Sequence, residues 1–287
     1  MLDLAVITLC CVAGDIGPLA RIVERANENM ELPDEIHPGD IHEFTTFIAD
    51  EYHKKSAEAN KNKEWDDIVR SALVSITHEM VILHRSLGDL CLSGWSSAGA
   101  PIFRTMLDLT VSMLAIGHSS CPPIAAFRYF HAGYRSETRN NDKSKEWRPG
   151  AREFLKARIS MLPPELQSAA KEVVNERDGA YWFQPEFKRP TEIVDKFGND
   201  QFQWLYRTFS SAAHGGFFGL RYFRDDPFGL SINPRLPMGL AAAKLMLHSS
   251  RLLIDIIIIR DSYEKLGYKQ NESLILSYFD KVILPAV

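Results

Sequence analysis

Apolar residues recur every three or four positions along most of this chain, which is the spacing of side chains on one face of an α-helix. The long segments with this pattern are 41–60, 64–93, 102–117, 124–139, 204–219 and 238–266, and the shorter ones are 151–161, 165–177, 191–197 and 272–283. We expect Thr191 to cap the helix that begins there, and Gly215 and Gly216 to stop the helix that begins at Trp204. The sequence contains neither alternating strand patterns nor a glycine-rich phosphate loop. It therefore predicts an all-α protein built as a multi-helix bundle.

The length and composition are those of a globular protein with a sizeable core. The chain has 287 residues, of which 45% are hydrophobic and 24% are charged. We divide it into an N-terminal helical extension, residues 1–63, and a main helical-bundle domain, residues 64–287. The segment 252–259 (LLIDIIII) is expected to be buried, because the helix around it carries several charged residues and so does not suit a membrane span.

Net charge and cysteine usage narrow the classes of function. A formal net charge of −4 argues against binding nucleic acid over a broad basic surface, but it leaves room for a local basic pocket. The four cysteines form no CxxC pair, which favours reduced thiols in a cytoplasmic protein. The apolar first thirteen residues are too short to span a bilayer and have no Lys or Arg before them, so we expect neither a signal peptide nor a membrane partner.

The histidines do not predict a metal site. His78, Glu79 and His84 form H-E-x(4)-H, in which the two histidines are six residues apart and so point in different directions, unlike those of the HExxH zinc motif. We expect these residues to be structural, and we expect His42 and His53 to lie on the surface. No metal and no cofactor are predicted.

One helix carries a pair of residues suited to phosphate chemistry. Arg207 and His214 are seven positions apart, close to two helical turns, so both side chains are expected on one face with Ser210 or Ser211 between them. A guanidinium is always charged and an imidazole titrates near neutral pH, so together they could handle a phosphate group.

Other charged residues lie on apolar helices. Arg104 and Asp108 form an i,i+4 pair that we do not expect to face open solvent, either as an ion pair bridging helices or as part of a pocket. Arg128 lies in a basic segment rich in aromatic residues, which suits a nucleotide or phosphate but is equally explained by amphipathic packing. Tyr206, Ser210 and Ser211 complete the set of candidate binding residues.

Three segments together resemble a bacterial family known as domain of unknown function 5677. They are FRTMLD at residues 103–108, Trp182 with the polar segment after it, and YRTFSSAAHG at residues 206–215. In that family the arginine of the first segment is followed four residues later by an acid that is usually Glu, where this chain has Asp108. The resemblance extends over roughly residues 70–260 and implies a helical protein with no assigned reaction.

The spacing of Arg207 and His214 also resembles the R-x(4–6)-H signature of HEPN proteins. These are small helical bundles, and many of them are toxin or antiviral ribonucleases that act as dimers without metal. Only Arg207 and His214 carry over residue by residue. Thr208 stands where a polar residue often follows the arginine, and the His-Gly-Gly ending departs from many members. The resemblance implies a HEPN-like core with additional helices.

Two functional hypotheses from different classes follow. The first is a metal-independent endoribonuclease of the toxin or defence type, a homodimer that binds RNA, in which His214 transfers a proton and Arg207 stabilises the pentacoordinate phosphate. The second is a non-catalytic helical module for ligand sensing or protein interaction, with a pocket lined by Arg104, Asp108, Arg128 and His214. A structural alternative is that Arg207 and His214 only tie helices together through hydrogen bonds.

Overall fold

The computed structural model describes residues 38–61, 67–93, 98–139, 153–175, 181–213 and 240–266, and these residues form nine helices and no strand. The helices are α1 (Pro38–Asn60), α2 (Ile68–Leu92), α3 (Gly99–Gly117), α4 (Pro122–Arg139), α5 (153–160), α6 (Pro164–Asn175), α7 (Pro190–Phe197), α8 (Asp200–Ala213) and α9 (Leu240–Glu264). The prediction of an all-α multi-helix bundle is confirmed.

Helix α9 lies at the centre of the bundle and packs against α1, α2 and α3. Its middle turns are almost entirely enclosed, with Leu253, Ile256 and Ile257 at most 2% exposed. Apolar side chains cover most of the circumference of this helix, so it is stable only when neighbours cover those faces. The expectation that 252–259 is buried is confirmed.

Helix α2 begins where a side chain satisfies its first backbone donors. The Asp67 carboxylate accepts hydrogen bonds from the backbone N–H groups of Val69, at 2.9 Å, and Arg70, at 3.3 Å, as an N-cap residue does. The helix then buries a stripe that includes Leu73, Ile76 and Met80 against its neighbours. Its start at Ile68 is four residues later than the hydrophobic pattern alone indicates.

A tight corner joins α7 to α8. The Gly198 N–H closes α7 on Val194 O at 2.8 Å, and Asn199 Oδ1 accepts from the Phe202 N–H at 2.8 Å, so Asn199 caps α8. A Cβ atom at position 198 would lie closer than 3.0 Å to Val194 O, so the corner requires glycine. The prediction that Thr191 caps α7 is wrong, because Pro190 already occupies the first turn.

A buried polar contact connects α1, α2 and α9. His42 Nε2 donates to His84 O at 2.8 Å, the two imidazole rings stack with centroids 4.0 Å apart, and His84 Nδ1 pairs with Ser249 Oγ at 3.1 Å. The expectation that His42 lies on the surface is wrong, because this residue falls on the inner face of α1 and is 7% exposed. The expectation for His53 is also wrong, since its ring is half-buried beside Arg260.

Among the described helices, α3 is long and apolar enough to cross a membrane by length and composition. More than half of its most apolar window is buried inside the bundle. One such helix is weak support for a membrane span, because core helices of globular bundles share the same composition.

Candidate functional site

A set of hydrogen bonds between α3 and α8 brings together four of the predicted binding residues. The Arg104 Nη2 donates to Asp108 Oδ1 at 2.7 Å and to Tyr206 Oη at 2.7 Å, while Nη1 donates to Tyr206 O at 3.2 Å and to Ser210 Oγ. The guanidinium carbon lies 3.9 Å from the centroid of the Tyr206 ring, in a cation–π contact. We call these four residues the Arg104 cluster.

The Arg104 cluster presents an acid, not a cation, to solvent. The Arg104 side chain is 18% exposed and both of its terminal nitrogens already donate within the chain, whereas the Asp108 side chain is 51% exposed. Partial burial raises the pKa of Asp108, against the opposing effects of the Arg104 charge and the hydrogen bond from Tyr206. The expectation that this pair avoids open solvent therefore holds for Arg104 and is wrong for Asp108. An anionic ligand would have to displace these contacts to reach the guanidinium.

The structure does not bring Arg128 to this cluster. Its Nη1 donates to Gln184 O at 2.8 Å, and its side chain lines a separate cavity of about 330 Å³ between α4 and residues 183–187. Glu186 borders the same cavity and accepts from the Ser120 N–H at 2.5 Å and from the Ser119 hydroxyl at 2.7 Å. The described contacts of Arg128 are thus those of a helix-to-loop connection.

Arg207 lies on a different, solvent-facing side of α8. Its Nη2 donates to Asp195 Oδ1 of α7 at 2.7 Å, and the two side chains are 62% and 50% exposed. An ion pair this exposed contributes at most about 1 kcal/mol to stability, so Arg207 can exchange its partner at little cost. Trp204 lies three residues earlier and is 51% exposed, so an aromatic ring and a guanidinium are neighbours on this helix.

Asp195 also lines an open surface concavity of about 580 Å³ around α7. Its lining residues are Lys188, Arg189, Thr191, Glu192, Asp195 and Lys196. Glu192 is already engaged, because its carboxylate accepts from the Lys188 backbone N–H at 2.8 Å. Three cationic side chains against two carboxylates make this a local basic surface on a chain whose net charge is negative.

The second predicted catalytic residue, His214, lies outside the described residues, and so does the side chain of Ser211. Ser210 was one of the two serines expected between Arg207 and His214, but its hydroxyl is part of the Arg104 cluster and donates to Tyr206 O at 2.6 Å. The predicted proximity of Arg207 and His214 stays a prediction.

The part of the chain that the structure describes contains no group of three or more His, Cys, Asp or Glu side chains arranged to hold a metal ion. Burial lowers the pKa of His84 to about 3 and raises the pKa of the Cys91 thiol to about 12, so both groups are neutral at physiological pH. Neither group has the solvent access that catalysis would need.

Sequence analysis missed a polar stripe on α9 formed by His248, Arg251 and Asp255, which lines a cavity beside α3 and α8. The signal was present in the sequence, because these polar residues fall at i, i+3 and i+7 in an otherwise apolar helix and therefore share a face.

Comparison with protein-family models, with curated proteins and with solved structures finds no match to this chain.

Proposed function

We propose that the chain is a metal-independent endoribonuclease that binds RNA on the surface formed by α7 and the outer side of α8. We call this surface the α7–α8 face and define it by Lys188, Arg189, Lys196, Trp204 and Arg207. The observation that carries the proposal is that the exposed Arg207 adjoins a concavity lined by three further cations and two carboxylates, one of which is its own partner Asp195. Clustered cations are the electrostatic signature of a surface that binds a phosphate backbone.

The chemistry of this face suits single-stranded RNA. A phosphate oxygen can replace the Asp195 carboxylate on Arg207, because an exposed ion pair is weak and a guanidinium accepts either anion through paired donors. The exposed Trp204 ring offers a stacking surface to an unpaired base, and base–aromatic stacking contributes about 1–3 kcal/mol. The Arg104 cluster holds an adjacent side of α8 against α3 and so limits the rotation of the helix that carries Arg207.

The proposed reaction is transesterification at the ribose 2′-hydroxyl. The 2′-oxygen attacks the adjacent phosphorus and loses its proton to a base, the bond from phosphorus to the 5′-oxygen breaks, and that oxygen takes a proton from an acid. The products are a 2′,3′-cyclic phosphate and a 5′-hydroxyl. His214 is assigned to proton transfer from its spacing to Arg207, and a second copy from a homodimer would supply the other proton-transfer group. Arg207 would stabilise the charge that develops on the phosphate.

A second candidate is a non-catalytic ligand-sensing module. The described contacts do not favour a pocket shared by Arg104 and Arg128, because each is committed to separate contacts within the chain. The observation that favours a sensing role is the cavity lined by the α9 polar stripe, which combines apolar walls with polar groups.

The test is RNA cleavage in EDTA, with end-labelled single-stranded RNA and four proteins: wild type, His214→Ala, Arg207→Ala and Arg85→Ala. Arg85 is a matched control, because it also forms an exposed pair with an aspartate, Asp50, but lies on α2. We expect wild type and Arg85→Ala to release 2′,3′-cyclic phosphate ends, His214→Ala to be inactive, and Arg207→Ala to be slower by about 100-fold or more.

Absence of cleavage by wild type, or equal activity in all four proteins, would contradict the proposal. RNA binding by inactive His214→Ala, measured against salt concentration, gives an independent readout of the α7–α8 face. Removing Lys188 or Arg189 should weaken binding to all sequences and reduce the salt slope by about one unit each. An unchanged slope in both variants would show that RNA binds elsewhere.

A further inference from the structure

A cavity of about 270 Å³ lies between α3, the corner joining α7 to α8, and α9. We call it the α9 cavity. Its apolar walls come from Leu114, Phe197, Phe202, Leu205, Leu252, Ile258 and Ile259, and its polar lining comes from Thr110, Gly198, Asn199, Gln201, His248, Arg251 and Asp255. Apolar walls with a few convergent polar groups are the usual makeup of a small-molecule site.

The polar groups of α9 form one stripe facing this space. Arg251 Nε pairs with Asp255 at 3.1 Å to Oδ1 and 3.3 Å to Oδ2, and the side chains are 18% and 32% exposed. His248 lies one turn before Arg251 on the same face. The Arg251 and Asp255 charges offset each other, so the cavity has no large net charge at this end.

His248 is the least explained group in the cavity. It is half-buried and its ring lies 6.4 Å from that of Phe103, yet its nitrogens make no hydrogen bond with any described residue. Burial, together with the charge of Lys244, lowers its pKa to about 4. A neutral imidazole offers one N–H donor and one acceptor nitrogen, so it can pair with a polar group that enters the cavity.

We propose that the α9 cavity binds a small, uncharged, planar heterocycle whose ring N–H donates one hydrogen bond to the acceptor nitrogen of His248. The phenyl walls of Phe197 and Phe202 favour a flat ring, and the offset charges of Arg251 and Asp255 disfavour a ligand with net charge. The volume lies just below the usual range for drug-sized ligands, which limits the occupant to one or two fused rings. Purine bases and benzimidazole-like rings share this chemistry.

This inference does not rest on ribonuclease activity. The cavity touches α8 at Gln201, Phe202 and Leu205, whereas Arg207 points from the other side of that helix towards α7. Ligand binding and RNA cleavage can therefore succeed or fail separately, and each is measured without the other.

The experiment is calorimetry and ligand-observed NMR on the full chain at neutral pH, with four probes. Benzimidazole and adenine carry both a donor and an acceptor, 1-methylbenzimidazole lacks the ring N–H donor, and benzoate is a flat anion. We expect benzimidazole or adenine to bind, 1-methylbenzimidazole to bind more weakly by about threefold to tenfold, and benzoate not to bind. The two donor–acceptor probes distinguish a purine site from a simpler bicyclic site.

Three variants locate the binding. His248→Leu should weaken benzimidazole or adenine by about threefold to tenfold, because it removes one hydrogen bond. Leu205→Trp should abolish binding by filling the cavity. His78→Leu makes the same side-chain change at an exposed position on α2 and should bind as wild type does. His248→Leu removes no described hydrogen bond within the chain, so it is expected to fold even if Leu205→Trp does not.

Failure of both neutral donor–acceptor probes to bind at millimolar concentration would overturn the proposal. It would also be overturned if benzoate bound better than either, or if His248→Leu matched His78→Leu in affinity.

Discussion

A buried ion pair at the end of α9 gives the strongest test of how this bundle is held together. The side chains of Arg260 and Glu264 are each 2% exposed, and Arg260 Nη2 donates to Glu264 Oε1 at 2.9 Å. The same nitrogen donates to Ser56 Oγ of α1 at 2.5 Å, and Tyr52 Oη of α1 donates to Glu264 Oε2 at 3.0 Å. The pair thus connects α1 to α9 through four side chains.

We predict that Arg260→Met destabilises the protein by about 3–5 kcal/mol, because it leaves Glu264 buried without its cation. The nearest remaining cation is Arg70, whose Nε lies 3.8 Å from Glu264 Oε1, too far for a good hydrogen bond. Adding Glu264→Leu removes the unpaired charge as well, so the double variant should recover most of the loss. The two substitutions are therefore expected to be coupled by about 2–4 kcal/mol in a double-mutant cycle.

The assay is urea unfolding followed by circular dichroism, with free energies of unfolding for wild type, both single variants and the double variant. Arg85→Met is the control, because its pair with Asp50 is about half exposed and should contribute less than about 1 kcal/mol. If the loss of stability in the double variant equals the sum of the two single losses, the reasoning that an unpaired buried charge dominates the loss is refuted.

Two further predictions concern the contact between α1 and α2. Burial lowers the pKa of His84 from 6.5 to about 3, so between these pH values the unfolded chain binds a proton that the folded chain does not. The stability that His84 contributes should be fully present above pH 6.5 and fall by about 1.4 kcal/mol per pH unit below it. Burial also lowers the pKa values of His53 and His248 to about 4, so in pH-dependent urea unfolding His84→Asn should reduce the slope by about 1.4 kcal/mol per pH unit and leave the rest. In Gly88→Ala, the higher helix propensity of alanine should add about 1 kcal/mol to the free energy of unfolding. The added Cβ would lie closer than 3.0 Å to the His42 ring, and this overlap should cost more than the gain. We expect a net loss of about 1–2 kcal/mol, and a variant more stable than wild type would contradict this packing.

The helices and the central position of α9 could be predicted from the sequence because they depend on local periodicity. The helix starts could not, because a hydrophobic pattern does not identify the residue that satisfies the first free N–H groups. Asn199 caps α8, which begins four residues before the position that periodicity indicates. Asp67 caps α2, which begins four residues after that position. Thr191 has the right residue type for a cap, but Pro190 before it is already helical.

The contacts of the candidate site were predictable only where they are local. Arg104 and Asp108 pair at i,i+4, which the sequence indicated, but the hydrogen bond from Arg104 to Tyr206 joins residues 102 positions apart. Likewise, the link between Arg260 and Ser56 joins residues 204 positions apart. Such contacts follow from the packing of helices rather than from spacing along one helix, so they cannot be predicted from the residue spacing in a single sequence.

Helix α8 presents separate faces to the core, to α3 and to the proposed RNA-binding surface. Phe202, Leu205 and Phe209 enter the core, Tyr206 is held by Arg104 of α3, and Arg207 points towards α7 and solvent. Because the first two faces fix the rotation of the helix, the backbone of Arg207 is already ordered and would not lose the entropy that a flexible loop loses on binding. In the proposed ribonuclease, the Arg104 cluster would therefore orient its neighbour rather than touch a ligand.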